Sequence, residues 1–294
     1  IGYMPDIEEI QSPINRYASQ ILSDDGQLLG TWSRSENRVF VRYDSISPYV
    51  IRALVATEDE RFYEHSGIDA KALTRAIVKR VLLRKKSAGG GSTITQQLAK
   101  QLYSDAAANS LERALQKPIE WVIAVELERQ FTKDEIITLY LNYFDFLHNA
   151  VGIKTAANVY FRKSPHELSV CEAATLVGMC KNPSYFNPVS HPERCLERRN
   201  IVLAQMEKAG YITADERATY AQEPLDMSHF HHVDHKEGLA TYLREYLRRI
   251  VSAPKPDRDN YASWQSAQYY ADSLAWETNP LYGWCNKNHK PDGS

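Results

Sequence analysis

Residues 57–69, TEDERFYEHSGID, hold five carboxylates beside a histidine and a glycine at the end of an apolar run. The apolar residues just before them recur at helical spacing: Val50, Leu54 and Val55. Continuing that period puts Glu58 and Phe62 on the same apolar face. Burial disfavours the charged form of a carboxylate, which makes a weak base useful for proton transfer near neutral pH. The pattern favours Glu58 as a general base, although acids at a helix end are also often solvated or cap the next helix.

The residues that follow Glu58 are of types that orient a base. Asp59 and His65 can hold it in place by hydrogen bonding. Gly67 can form the tight turn that brings His65 back toward it. We expect these residues to support the base rather than to react.

Residues 88–103, AGGGSTITQQLAKQLY, suit the binding of an anionic group. The glycines give a flexible backbone that a ligand can approach closely, and Ser92 can cap the helix that follows. Gln96 and Lys100 lie four residues apart on one face of that helix. A helix N-terminus with a lysine one turn further on favours phosphate, although the spacing is not that of a P-loop. A polar helix start is the structural alternative, and it explains the paired glutamines poorly.

A second candidate carboxylate, Glu120, comes just before the apolar run Trp121–Val125. Arg113 and Lys117 precede it and are candidate phosphate ligands. Both could equally form surface ion pairs, which contribute little to stability.

Residues 70–86 carry seven basic and no acidic side chains. On a helical wheel the basic residues gather on one side and the apolar residues on the other, a pattern typical of a helix lying on an anionic membrane. A solvated basic face over an ordinary core is the main alternative, and nucleic acid is a third. The formal net charge of −2 argues against a nucleic-acid binder as a whole.

The rest of the chain reads as a folded, mainly helical protein. Residues 17–43 alternate as strands around a hairpin turn at Asp25 and Gly26, and the pattern is helical from Ser47 onward. Three capping boxes mark helix starts, at Thr132 with Glu135, Ser169 with Glu172 and Thr213 with Glu216, and Gly210 fits a helix end. The four cysteines lack metal-ligand spacing, which favours free buried thiols over a metal site or a disulfide framework.

Five strings occur in the order of the five motifs of one enzyme family: EDERFYEHSGID, GGSTITQQLAK, KPIEWVIAVELER, KDEIITLYLN and EAATLVGMCKNPSYFNP. Over roughly residues 45–205 the chain resembles the peptidoglycan glycosyltransferases, the domain of class A penicillin-binding proteins. The resemblance implies a mainly α, lysozyme-like head lobe with a smaller membrane-facing jaw lobe, preceded here by the short β-hairpin. It also implies an enzyme that polymerises lipid II into β-1,4-linked glycan with inversion at the donor anomeric carbon and release of polyprenyl pyrophosphate.

The resemblance assigns roles to individual residues. Glu58 is the base for the acceptor sugar's 4-hydroxyl, and Glu120 is the second catalytic carboxylate, which positions the donor. The implied substrate-binding set is Asp59, Phe62, His65, Gly67, Gly91, Ser92, Thr93, Gln96, Gln97, Lys100, Arg113, Lys117, Tyr140 and Asn142. No metal ligand is assigned, and a magnesium ion at the lipid II diphosphate is left open as a cofactor.

The third motif departs from the family pattern. Gln116 and Ile119 stand where the family typically has basic residues, so two implied phosphate contacts are missing, and Arg113 substitutes for them only if the register shifts. The glutamate usual in the fourth motif is Thr138, and Phe186 replaces a tyrosine in the fifth. Neither of these two changes removes the proposed base.

The implied organisation has three parts. Residues 1–45 are an N-terminal linker and hairpin after a missing membrane anchor, 46–229 the glycosyltransferase domain, and 230–294 a linker toward an absent transpeptidase domain. The only SxxK match, Ser252–Lys255, contains a proline and is no transpeptidase site. Implied partners are lipid II, the nascent glycan, the membrane through residues 70–86, the transpeptidase domain and other cell-wall synthesis proteins, on the outer face of a bacterial cytoplasmic membrane.

Two rival functions remain open at this point. A lysozyme-like muramidase or lytic hydrolase would also use a buried glutamate on a glycan, but it needs no diphosphate cradle. A catalytically silent docking module of a wall-building complex is the other rival. The third-motif departures favour that module, and the retained Glu58 and Glu120 count against it.

Overall fold

The computed structural model describes residues 19–22, 24, 28–32, 39–81, 91–103, 110–231 and 241–287. These residues fall into two compact units. The described part of the first is 39–81, 91–103 and 110–231, and that of the second is 19–22, 24, 28–32 and 241–287. The predicted boundaries at 45 and 229 stay predictions.

The first unit is built from helices. Its α-helices are α1 (Pro48–Glu58), α2 (Ala70–Val81), α3 (Ile94–Tyr103), α4 (Ser110–Gln130), α5 (Lys133–Tyr143), α6 (Ile153–Phe161), α7 (Val170–Met179), α8 (Pro192–Lys208) and α9 (Ala214–Gln222). Short 3-10 turns lie at Tyr43–Ser45, Phe62–Glu64 and Pro165–Glu167. The prediction of a mainly α fold is confirmed. The segment 82–90, within the region expected to form the jaw lobe, lies outside the described residues.

Helix α7 forms the centre of this unit. Every one of its residues except Glu172 is buried, and α1 and α8 pack against it and against each other. Helices α4 and α5 pack on α3 and extend the same hydrophobic cluster. Because α1, α3, α4, α5 and α8 all adjoin this core, side chains at their ends can meet.

Local sequence signals set the helix ends as predicted. All three capping boxes are formed, at the starts of α5, α7 and α9. Gly210 follows α8 with φ of +75°, and the N–H of Tyr211 bonds back to the carbonyl of Met206. This is the left-handed helix end that glycine favours.

The second unit joins the strands to the later helices. Strands β1 (Ser19–Leu22) and β2 (Leu28–Trp32) pair antiparallel, which confirms the predicted hairpin, although the turn residues Asp25 and Gly26 lie outside the described residues. The unit also contains α10 (Thr241–Val251), which packs on β2, α11 (Ser266–Thr278) and 3-10 turns at Arg258–Asn260, Ser263–Gln265 and Trp284–Asn286.

The cysteine prediction holds for three of the four residues. Cys171 on α7, Cys180 directly after α7 and Cys195 on α8 are free and buried, whereas Cys285 is free but exposed. Cys285 lies in the 3-10 turn Trp284–Asn286, where a thiol has no apolar layer to enter. The prediction of a buried thiol was therefore wrong at that position.

Candidate active site

Glu58 is the last residue of α1, and its carboxylate faces two donors from distant parts of the chain. Nε2 of Gln97 on α3 donates to one oxygen at 3.0 Å, and Nη2 of Arg198 on α8 donates to the other at 3.3 Å. The Glu58 side chain is 14% exposed. It is thus partly buried, as the apolar period predicted, with a path to solvent left open.

Gln97 is itself held in one orientation by Tyr140 on α5. The Tyr140 hydroxyl donates to the Gln97 amide oxygen at 3.1 Å, so the amide nitrogen must face Glu58. Burial raises the pKa of Tyr140 well above its usual value, so this hydroxyl stays a donor at any working pH. The structure thereby brings Gln97 onto the proposed base and places Tyr140 behind Gln97.

Asp59 and His65 bond to each other behind Glu58, whereas the hydrogen bonds that hold the Glu58 carboxylate come from Gln97 and Arg198, so the expectation that Asp59 and His65 hold the base directly was wrong. The imidazole Nε2 of His65 lies 3.0 Å from both Asp59 oxygens, and one of these also accepts the backbone N–H of Ile94 at the start of α3. Nδ1 of His65 is buried without a partner among the described residues, which favours the tautomer with its proton on Nε2. A carboxylate at a helix N-terminus is favourable, so Asp59 ties the ends of α1 and α3 together.

Gly67 is needed for two reasons. Its φ is +90°, and a Cβ at this position would lie 2.8 Å from the carbonyl oxygen of Ala124 on α4. Its own carbonyl accepts from Thr93 at 2.7 Å and from the Gln96 side chain at 3.3 Å. The predicted tight turn is confirmed, and the close approach to α4 is an additional constraint.

The cap of α3 is Thr93 and not Ser92. The Thr93 hydroxyl oxygen accepts the N–H of Gln96 at 3.1 Å, the usual capping contact three residues on. Ser92 lies one residue too early for that contact, and its hydroxyl instead accepts from Nζ of Lys117 at 3.1 Å. The expectation that Ser92 caps was therefore wrong, while its position beside a lysine suits anion binding.

Glu120 is fully buried on α4 and carries a charged partner one turn away. Nζ of Lys117 lies 3.2 Å from a Glu120 oxygen, and the Lys117 side chain is 36% exposed. The lysine thus has one side on the buried carboxylate and the other toward solvent. Glu120 can hold this cation in place without contacting a ligand.

Both carboxylates line one cleft of about 630 Å³ in the first unit. Its polar lining includes Glu58, Ser92, Gln96, Gln97, Lys100, Lys117, Glu120 and Lys181. A smaller pocket of about 160 Å³ also borders Glu58, and its lining includes Gly91 and Arg75. The larger cleft therefore places a candidate base and several cations around one space, the arrangement that attack on a diphosphate-linked sugar requires.

Some implied binding residues lie away from this cleft. Phe62 is fully buried under Nζ of Lys133, 4.2 Å from its ring centre, and Asn142 is buried with its amide bonded to the backbone of Val41 and Thr138. Neither lines the 630 Å³ cleft. The side chain of Arg113 lies outside the described residues. These positions give Phe62 and Asn142 structural contacts, and their assignment to substrate binding stays a prediction.

Arg198 is the site residue that sequence reasoning missed. It shares the buried face of α8 with Cys195, Val202 and Met206, so a charged residue occupies an apolar stripe. Glu58 was selected because it is a charged residue on the apolar face of a helix, and Arg198 has the same property. A charged residue at a core position of an amphipathic helix could therefore have indicated Arg198 from the sequence.

The comparisons with known proteins identify the family of the chain. The model of the transglycosylase family matches residues 25–207. Over 84% of this chain, the sequence is 41% identical to penicillin-binding protein 1A of Aquifex aeolicus. It is 40% identical to penicillin-binding protein 1F of Bacillus subtilis over 83% of this chain. It is 36% identical to penicillin-binding protein 1A of Escherichia coli over 84% of this chain. A crystal structure of penicillin-binding protein 1A from Haemophilus influenzae aligns with a TM-score of 0.41 at 24% identity, over 80% of this chain and 24% of that one.

The chain belongs to the transglycosylase family, and it is a glycosyltransferase. The resemblance predicted from the five motifs is confirmed. The chain spans about a third of the length of these relatives, covering 33%, 32% and 28% of the three named.

Proposed function

We propose that the chain polymerises lipid II into β-1,4-linked glycan strands. The observation that supports this proposal is the single cleft that holds Glu58 and Glu120 together with Lys100 and Lys117. In the reaction, a Glu58 carboxylate oxygen takes the proton of the acceptor's 4-hydroxyl. The hydroxyl oxygen of the acceptor attacks the donor's anomeric carbon at the same time. The bond from this carbon to the polyprenyl diphosphate breaks on the opposite face, and the α-linked donor becomes a β-linked product.

The leaving group needs cations more than a proton, because diphosphate is already a weak base. Lys100 and Lys117 supply positive charge, and the Ser92 hydroxyl and Gln97 amide add polar contacts. Glu120 acts by fixing Nζ of Lys117 at 3.2 Å. With Gln116 and Ile119 in place of basic residues, these two lysines carry a larger share of diphosphate binding.

A divalent cation, if one takes part, is held by the substrate more than by the protein. Among the described residues, no cluster of three or more histidine, cysteine or carboxylate side chains is placed to hold a metal ion. Magnesium commonly keeps several waters and binds through one or two carboxylates plus substrate phosphates. We therefore assign any magnesium ion to the lipid II diphosphate.

The membrane location is also part of the proposal. Lys71 and Arg75 on α2 are exposed, as the basic face requires, and Val78 on the same helix is 41% exposed. An exposed apolar residue beside basic residues suits the boundary between headgroups and acyl chains. No helix in the described part of the chain is both long and apolar enough to cross a membrane. We place the domain on the outer face of a bacterial cytoplasmic membrane, with a transpeptidase domain in the parent protein and other wall-synthesis proteins as partners.

The test supplies the 294-residue chain with lipid II in detergent and, separately, with preformed glycan, and resolves both products by size. Polymer from lipid II with intact preformed glycan supports the proposal. Cleavage of the preformed glycan without polymer would establish the hydrolase instead. Inactivity in both assays, with lipid II still bound, would favour the docking module.

A further inference from the structure

Arg198 is a buried charge that stability alone does not explain. Its side chain is only 8% exposed, its one ion pair among the described residues is the 3.3 Å contact to Glu58, and its Nε is buried without a partner there. One 3.3 Å hydrogen bond and one aromatic ring replace little of the hydration that a buried guanidinium loses. A residue kept under such conditions beside a proposed base points to a role in the reaction.

The path of the Arg198 side chain is fixed by its neighbours. It passes Gly178 on α7, where an added Cβ would lie 3.1 Å from Cγ of Arg198. The Phe186 ring lies beside the guanidinium, with its centre 5.8 Å from Cζ. Three elements packed together therefore aim the guanidinium at the end of α1.

We infer that Arg198 is a positioning residue for Glu58. Arg198 holds one carboxylate oxygen and Gln97 holds the other, so the carboxylate cannot rotate and its remaining lone pairs face the cleft. This inference rests on the proposed function, because it assigns Arg198 a part in that reaction.

The other charged and titratable groups around Glu58 do not replace Arg198. They are Asp59 and Glu60 after α1, Arg61, Asp69 and Arg75 around the smaller pocket, Lys100 on α3, Lys117 and Glu120 on α4, Tyr140 and Tyr143 on α5, Asp145 after α5, and Cys180 and Lys181 after α7. Burial raises the pKa values of Tyr140 and the Cys180 thiol far above their usual range, so both stay neutral. The ion pair that the described residues make with Glu58 is the one to Arg198.

The next residue, Arg199, provides a matched control. It is also buried, but its Nη2 donates to the backbone carbonyls of Tyr220 at 3.2 Å and Glu223 at 2.6 Å. These contacts hold the end of α9 and do not involve Glu58. Removing Arg199 therefore tests the loss of a buried arginine without loss of the contact to the base.

The experiment measures kcat and KM for lipid II polymerisation in the 294-residue chain and in Arg198→Met, Arg198→Lys and Arg199→Met, with Tm for each. We expect Arg198→Met to lower kcat about tenfold with little change in KM. A merely structural arginine would instead lower Tm and leave the kcat of the folded protein unchanged. Arg198→Lys should restore part of kcat but not all of it, since lysine keeps the charge and lacks the planar fork. Arg199→Met should lower Tm and leave kcat unchanged.

Each outcome decides one question. If the parent chain polymerises lipid II and Arg198→Met has the same kcat, the inference is overturned and the proposed function stands. A parent chain that cuts glycan without polymerising overturns the proposed function and the inference with it. If Arg198→Met is unfolded at the assay temperature, Arg198→Lys decides, because it keeps a buried cation. A kcat equal to that of the parent in Arg198→Lys then overturns the inference.

Discussion

The hydroxyl of Tyr140 lies 3.1 Å from the amide oxygen of Gln97, and this contact determines which end of the amide faces Glu58. An amide turned the other way would present its oxygen to the carboxylate and repel it. Helices α1, α3 and α5 thus cooperate to hold one proposed base. Most of the predictions below follow from such contacts between elements.

Tyr140→Phe should reduce activity without unfolding the protein. The ring keeps its packing, but the Gln97 oxygen loses its donor, at a cost of about 1 kcal/mol in the free energy of unfolding. We expect kcat for lipid II polymerisation to fall roughly tenfold. Tyr160→Phe is the control, because its buried hydroxyl donates to the carbonyl of Phe146 at 2.6 Å, away from Glu58. An equal loss of kcat in both variants would contradict the positioning role of Tyr140.

Lys117→Met should lower both stability and substrate affinity. Glu120 is fully buried and would lose the cation that lies 3.2 Å from it. Because Lys117 is partly exposed, we expect the free energy of unfolding to fall by roughly 1–3 kcal/mol. Adding Glu120→Gln should recover much of the Tm, because the buried charge is then removed as well. KM for lipid II should stay high in the double variant. A double variant with normal KM would exclude Lys117 from diphosphate binding.

Gly67→Ala should be far more destabilising than Gly210→Ala. Both glycines have positive φ, but the new Cβ at Gly67 would lie 2.8 Å from a backbone oxygen, while the one at Gly210 would meet nothing within 4 Å. We expect losses of roughly 2–5 kcal/mol at Gly67 and about 1–2 kcal/mol at Gly210. Denaturant unfolding measures both values. Similar losses at the two positions would contradict the close approach of Gly67 to α4.

The double variant Lys71→Gln with Arg75→Gln should weaken binding to anionic vesicles. Each basic residue near such a surface contributes about 1 kcal/mol, so affinity should fall about 30-fold at low salt and the difference should shrink at high salt. Sedimentation with vesicles of mixed anionic and neutral lipid measures this. The control removes two basic residues elsewhere, Lys208 and Arg217, whose side chains are 58% and 43% exposed. Equal weakening in both double variants would show a general charge effect and not a surface formed by α2.

Local sequence patterns predicted the parts of the fold that depend on neighbours in the chain. The capping boxes form because the side chain and the amide it binds are three residues apart, as at Thr132 and Glu135. The apolar period of α1 correctly placed Glu58 on a partly buried face. In each case the physical cause lies within one or two turns of helix.

The contacts that complete the site join residues far apart in sequence. Arg198 and Glu58 are separated by 140 residues, and Asn142 binds the backbone of Val41 across 101 residues. A motif can mark such residues as important, but it does not say whether a side chain faces the cleft or the core. This is why Asn142 was assigned to substrate while its amide is occupied by backbone groups, and why Arg198 was missed.

The most direct test of the central claim compares Glu58→Gln with the parent chain. Glu64→Gln serves as the control, since Glu64 lies in the same motif but is exposed and paired with Arg61 at 2.8 Å. We measure single-turnover polymerisation of lipid II together with lipid II binding. We predict a rate about 10²- to 10⁴-fold lower in Glu58→Gln, with binding and Tm close to those of the parent. A Glu58→Gln variant that binds lipid II and polymerises it at the parent rate would contradict the assignment of Glu58 as the base.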